Sequence, residues 1–291
     1  MAGSPIIMLG VGATKAGTSW LHRYLSSHPD CHFRLMKELH YFNSIDFGRV
    51  DRRIDELTAE IDSIEARMSR EAPTAQMITR QTDRADLRQL LMRGDDAEGY
   101  LAYLREGAGE APVVGEVTPA YALLSWPRLR AMAQMAADVR FVYLIRDPVA
   151  RLWSHVRMIA TRRGDGLTPD PRRAARILKR VLRGDEQEIA RRGDYRAALE
   201  KLSKAVDPKK LCVIAFEDLV SGRDIDRLCR FLGLKPHAPD LRPVNAGDDM
   251  TMTSEQRHDA RRWLDDQYEF VADWLGRRPT GWAYELAEES D

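Results

Sequence analysis

The chain has 291 residues, 44% of them hydrophobic, with 45 basic and 45 acidic side chains. That length can bury a sizeable core, and the balanced charge excludes a general attraction to nucleic acid or to an anionic membrane, so any anion site must be a local concentration of cations. No apolar run approaches the ~20 residues needed to span a bilayer, and glycines and Lys15 break the first one where a signal peptide would be cleaved, which fits a cytoplasmic protein.

In chain order, the first apolar run covers residues 6–9 and leads through Gly12-Ala13-Thr14-Lys15-Ala16-Gly17-Thr18-Ser19 into Trp20-Leu21-His22-Arg23-Tyr24-Leu25. A buried strand that passes through glycines into a helix aims unpaired N–H groups and the positive end of the helix dipole at one point, where an anion can bind. The alternative is a connector in which the glycines only make a tight turn. A Walker A loop places its lysine after the second glycine; here Thr18 fills that slot and the lysine lies inside the loop as Lys15. The dinucleotide pattern also fails, because Lys15 stands where its third glycine belongs.

Next comes Lys37-Glu38-Leu39-His40-Tyr41-Phe42. If this stretch is extended, Glu38 and His40 project to the same side, and a carboxylate beside an imidazole suits a general base. The plainer reading is a solvated charge next to a core histidine. Residues 51–105 are charged, with apolar residues at helical spacing (Ile54, Leu57, Ile61, Ile64, Met68) and a break at Ala72-Pro73-Thr74. This predicts a helical insertion, either packed over the active edge of a sheet or forming a surface bundle away from it.

Nearly continuous apolar runs at 6–9, Val139–Ile145 and 211–216, with a shorter one at Val113–Val117, read as strands buried on both faces, separated by helices. The economical fold is α/β and P-loop-like: three layers around a central, mostly parallel sheet, as one domain over 1–291. Arg146 follows the strand at 139–145, at the strand end where such sheets bind ligands, and Ser154 lies two turns along the helix after Pro148. Arg146 could instead pair with Asp147.

The basic stretch 162–192, broken by Pro169 and Pro171, reads as a solvated face. Residues 254–275 read as one amphipathic helix with Ser254 as N-cap and Gly276 at its end. Tyr41, Phe42, Tyr121, Trp126 and Trp153 are either core or the lining of an acceptor pocket. The three cysteines, Cys31, Cys212 and Cys229, have no CxxC spacing, and no His, Cys and acid cluster has metal-ligand spacing, so neither a disulfide framework nor a metal is expected. Cys212 reads as a small buried hydrophobe in a strand.

Taken together, TKAGTSWL after a strand, KELHYF after the first helix and RDPVARLWSHV after a central strand resemble the sulfotransferases that use 3'-phosphoadenosine 5'-phosphosulfate (PAPS), in the branch with heparan sulfate sulfotransferases and bacterial relatives. GEVTPAY at 115–121, RGDY at 192–195, FEDL at 216–219 and FLGL at 231–234 follow in the family's order. The resemblance implies PAPS as co-substrate, 3',5'-ADP as product and an acceptor hydroxyl or amine on a carbohydrate, lipid or small metabolite. It further implies that Lys15, Ala16, Gly17, Thr18 and Ser19 hold the 5'-phosphosulfate and that Arg146 and Ser154 hold the 3'-phosphate, with Trp20 and Tyr195 further nucleotide contacts. Lys15, Glu38 and His40 would be catalytic, with Glu38 as base. The chain departs from eukaryotic members at 243–250, which carries no lysine or arginine, and the implied place of acceptor choice is the insertion at 51–105.

Overall fold

The computed structural model describes residues 4–168, 170–238 and 250–282. The first apolar run forms β1 (Ile6–Gly12), buried from Ile7 onward, and Gly17 turns the chain into α1 (Thr18–Ser27). A three-residue strand absent from the sequence reading, β2 (Cys31–Phe33), comes next, then the short α2 (Tyr41–Asp46). The charged region holds α3 (Val50–Met68), α4 (Ala75–Met92) and α5 (Ala97–Arg105). The break between α3 and α4 falls at the expected place, where the Thr74 hydroxyl accepts the Met77 N–H at 3.2 Å and starts α4.

Beyond it lie β3 (Val113–Val117), a 3-10 turn at Pro119–Leu123, α6 (Trp126–Gln134), β4 (Val139–Ile145) and α7 (Pro148–Arg162). Then come α8 (Pro171–Leu182), α9 (Gln187–Arg191), α10 (Tyr195–Ala205), β5 (Leu211–Ala215), α11 (Phe216–Val220) and α12 (Ile225–Leu232). The C-terminal amphipathic stretch is two helices rather than one, α13 (Ser254–Trp263) and α14 (Asp265–Leu275), broken at Leu264. Its cap sits one residue earlier than expected: Thr253 caps α13, and with Gln256 three residues on it completes a capping box that a start at Ser254 would lack. Gly276 ends α14 in the left-handed conformation, as anticipated.

The five strands form one all-parallel sheet in the order β2-β3-β1-β4-β5, with Ile7 opposite both Val114 and Val139. Strands buried on both faces must be apolar throughout, which is why these runs are nearly unbroken. Cys212 is buried in β5. From β1 the chain runs toward one end of the sheet, and from β4 toward the other. Right-handed crossovers therefore place the two connections on opposite faces and open a crevice between the C-terminal ends of β1 and β4.

The insertion leans on the β2 and β3 side of the sheet. α3 and α4 pack on each other, α5 packs on β3, and Tyr100 of α5 donates to the buried Glu116 of β3 at 2.7 Å. Arg34, just past β2, donates to Asp83 of α4 at 2.8 Å and lies 4.1 Å from the Tyr103 ring centre, so the insertion clamps the segment that leads to Glu38.

Close approach of β1 and β3 requires Gly115, where a Cβ would land on the Met8 carbonyl oxygen. Backbone cannot step aside as a side chain can, so Gly115→Ala is expected to cost about 3 kcal/mol, the upper end for overpacking. A denaturant midpoint unchanged from that of the parent would disprove the constraint.

Candidate active site

At the crevice between β1 and β4 lies a cavity of about 930 Å³. Its floor is the glycine loop. Gly17 has φ +89, and a Cβ there would strike the Phe216 ring, so glycine is required on both counts. No side chain caps α1 and no acid lies in its first turn; the Trp20 N–H donates to the Gly17 carbonyl at 2.9 Å, whereas Thr18 and Ser19, which line the cavity, have no backbone N–H partner among the described residues. Lys15 itself adopts φ +69, a left-handed conformation that costs a non-glycine residue about 1 kcal/mol and turns its side chain over the loop.

Arg146 enters from the end of β4. Its Nη1 donates to the Lys15 carbonyl at 3.4 Å, and its guanidinium carbon lies 5.7 Å from the Phe216 ring centre. Asp147 caps α7, accepting the Ala150 N–H at 2.8 Å, and also takes the Tyr268 hydroxyl proton at 2.7 Å. Its carboxylate is thus committed to the helix start, and Arg146 faces the cavity. Ser154, two turns along α7, is in the same wall, as are Arg157, Met158 and Arg162, which continue its helical face.

The opposite side is the Glu38 segment. Glu38 Oε2 is 3.3 Å from His40 Nε2, and Lys37 Nζ donates to Oε1 at 3.2 Å. The two side chains meet as anticipated, but by a different route. The stretch is not a strand: His40 has φ +56 and opens α2. That backbone is pinned, since the His40 N–H donates to Thr118 Oγ1 at 3.4 Å and Thr118 donates to Glu116 at 2.6 Å.

Of the sequence-derived candidates, Lys15, Gly17, Thr18, Ser19, Trp20, Glu38, His40, Arg146 and Ser154 line this one cavity. Ala16 and Tyr195 are fully buried and lie outside its lining. The Tyr195 hydroxyl donates to the Arg146 carbonyl at 2.6 Å and accepts its N–H at 3.1 Å, so this tyrosine braces the arginine from behind. Tyr41, Phe42 and Tyr121 are core, Trp153 donates to the Met250 carbonyl, and Trp126 is exposed; none of the five lines this cavity.

No residue of the insertion lines the cavity; α7 contributes Arg157 and Arg162, α9 contributes Glu188, and Arg192 follows at the end of α9. Three arginines of the basic stretch read as solvated, Arg162, Arg163 and Arg192, therefore line the cavity. Residues 243–249 of the C-terminal loop lie outside the described residues.

Electrostatics set the character of the cavity. Six cations line it against three carboxylates. Arg163 pairs with Glu186 and Arg192 with Glu188, both at 2.7 Å, which leaves Lys15, Arg146 and Arg162 facing Glu38, with Arg157 in the same lining. Burial, together with Arg162, Arg146 and Arg157, lowers the Lys15 pKa. Burial and Arg151 push His155 down to about 3, leaving it neutral with a buried Nδ1 that has no partner. Trp20 Nε1 is likewise buried without one. Surplus positive charge suits an anionic ligand, and the orphaned polar atoms are available to hydrogen-bond its polar groups.

A family model described as "Sulfotransferase family" matches residues 5–239. The chain belongs to the Sulfotransferase family. Among solved structures it is similar to a sulfotransferase from Alicyclobacillus acidocaldarius, with 21% identity, a TM-score of 0.61, and coverage of 96% of this chain and 99% of that one. It is also similar to the sulfotransferase domain from the curacin biosynthetic pathway, with 19% identity, a TM-score of 0.53, and coverage of 95% and 99%. These likenesses establish the α/β fold. No curated protein matches the chain. Among the described residues, no helix is long and apolar enough to cross a membrane and no group of three or more His, Cys, Asp or Glu side chains could hold a metal ion.

Burial alone would raise the Glu38 pKa, but the His40 hydrogen bond and the Lys37 charge outweigh it and bring the carboxyl to about 2. Its folded value lies below the unfolded 4.5, so the associated stability is complete above pH 4.5 and lost as pH falls through about 2. A carbon-detected NMR titration of Glu38 should show that low midpoint, and His40→Ala should move it up toward the ordinary value. A midpoint near 4.5 in the parent protein would refute the pairing.

Proposed function

We propose that this sulfotransferase takes its sulfuryl group from PAPS and passes it to a hydroxyl or amine of a carbohydrate, lipid or small metabolite, releasing 3',5'-ADP. The observation that carries the reading is the cavity itself: Lys15, Arg146, Arg157 and Arg162 gather in its lining beside a helix N-terminus, and the Glu38 carboxylate lines it with them.

In this scheme the acceptor atom attacks sulfur in line. The new O–S or N–S bond forms as the bond from sulfur to the bridging phosphate oxygen breaks, and negative charge grows on that oxygen. Lys15 and the first-turn N–H groups of α1 would neutralise it, while Arg146 and Ser154 would hold the 3'-phosphate. Trp20, with its unsatisfied indole N–H, fits the nucleotide side of the cavity. Enough charge is present in side chains and helix N–H groups that the scheme calls for no metal.

The acceptor's proton goes to Glu38, whose contact with His40 fixes the orientation of both groups. In the cation-rich free site this carboxylate is a weak base. A polyanionic donor would neutralise the surrounding charges and raise its proton affinity, so base strength would develop with donor binding.

Calorimetric titration with 3',5'-ADP, with 5'-AMP and ATP plus Mg as comparisons, tests the donor. Micromolar binding of the bisphosphate and much weaker binding of the others is expected; preference for ATP with Mg, or no binding of any, would overturn the reading. In the same assay Arg146→Ala should abolish discrimination between 3',5'-ADP and 5'-AMP. Glu38→Gln should keep 3',5'-ADP affinity and lose roughly 100-fold or more in turnover, as for loss of a general base; undiminished turnover would remove Glu38 from the mechanism.

A further inference from the structure

A second, smaller cavity of about 270 Å³ adjoins the first, and Thr14, Pro119 and Arg192 belong to the walls of both. It lies between the 3-10 turn after β3 and one face of α10. Much of its wall is apolar, from Ala122, Leu123, Tyr143 and Ala198, but three cations converge on it: Arg191, Arg192 and Lys201. The single acid there, Asp194, is occupied as the α10 cap, accepting the Ala197 N–H at 2.9 Å and the Gln267 side chain at 3.3 Å.

Arg191 and Arg192 share Glu188, at 3.1 and 2.7 Å. Lys201 is half-buried and, among the described residues, makes no hydrogen bond or ion pair; burial and the nearby Arg191 lower its pKa. Behind this wall a second observation points the same way. Arg151 is 1% exposed, and its Nε and Nη1 have no partner. The groups acting on its charge are Tyr195, Tyr143 and Arg146, none of them a carboxylate. A guanidinium stays protonated even when buried, so Arg151 adds a positive charge behind the Tyr143 wall of this cavity. An apolar neck that ends in Lys201, beside two arginines that share a single carboxylate, is complementary to an amphipathic anion and hostile to a neutral polar one.

We infer that this smaller cavity is an acceptor subsite that binds an anionic group, such as a carboxylate, sulfate or phosphate, at the end of the acceptor remote from the reacting hydroxyl or amine. The inference rests on the sulfotransferase reading for the role of the ligand, though not for the existence of the anion site. It places specificity in Lys201, which meets the anion, with Arg191 and Arg192 at the mouth. The acceptor's apolar body lies along Ala122, Leu123 and Tyr143. Neutral sugars and unmodified alcohols are then poor acceptors.

The test compares 3-(4-hydroxyphenyl)propanoate with its neutral, nearly isosteric amide, each titrated calorimetrically into the protein saturated with 3',5'-ADP. The carboxylate is expected to bind about tenfold or more tightly than the amide, the scale of one charge-assisted contact. Lys201→Met, which keeps the aliphatic stem, should bind the two alike. Equal binding of the two by the parent protein, no binding of either, or a carboxylate preference that survives Lys201→Met would each overturn the inference. The titrations are repeated without nucleotide, so failure of 3',5'-ADP to bind would count against the donor assignment alone and leave the subsite separately scored. Thermal unfolding of Lys201→Met shows whether the variant is folded.

Discussion

Like charges gathered in a partly dry cavity repel, and the fold has to hold Lys15, Arg146, Arg157 and Arg162 together against that repulsion. It does so with backbone rather than with counter-charges. Arg146 is fastened by the Tyr195 hydroxyl at both its N–H and its carbonyl, Lys15 by the glycine loop over Phe216, and the two arginines of α7 by a helix whose other face is core. Each support is apolar or neutral, so none cancels the charge it positions. The site keeps its field because the acids that could quench it are placed elsewhere: Asp147 on a helix start, Glu186 and Glu188 on neighbouring arginines.

Opposite this cationic wall, the Glu38 segment is held from a different direction. Arg34 ties its approach to α4, and the series His40, Thr118, Glu116, Tyr100 ties its end to β3 and α5. Burial raises the Glu116 pKa while Thr118, Tyr121 and Tyr100 favour its charged form, a balance that a lost hydroxyl would upset. The insertion therefore serves the chemistry without touching the cavity: it fixes where the carboxylate stands.

Much of this was legible beforehand, for reasons that differ from place to place. The central strands could be read because a strand buried on both faces has no room for polar residues, and the loop at Lys15 because only glycine fits a turn with φ +89 against a ring. β2 was hidden because Cys31, His32 and Phe33 are too few to display a period. Arg162, where α7 ends and the basic stretch begins, was taken with that stretch for a solvated face because charge runs usually are one. Yet Ser154, Arg157, Met158 and Arg162 recur at three- and four-residue steps on the side opposite Leu152, Val156 and Ala160, a pattern that was present to be counted. The aromatics gave no such clue, since a ring at helical spacing suits a core and a pocket wall equally. The split at Leu264 depends on how α13 and α14 pack on the rest of the chain, which local sequence does not encode.

One further property belongs to α7. Its first turn is locked by Pro148 and the Asp147 cap beside Arg146, and Arg162 is its last residue, so both ends of the large cavity are mounted on a single straight element. At 1.5 Å per residue, the eight steps from Ser154 to Arg162 set a separation of about 12 Å that no side-chain motion can alter. The helix acts as a gauge. It fixes where the two backbones stand, so a ligand that engages both Ser154 and Arg162 must span that interval to within the reach of the arginine side chain.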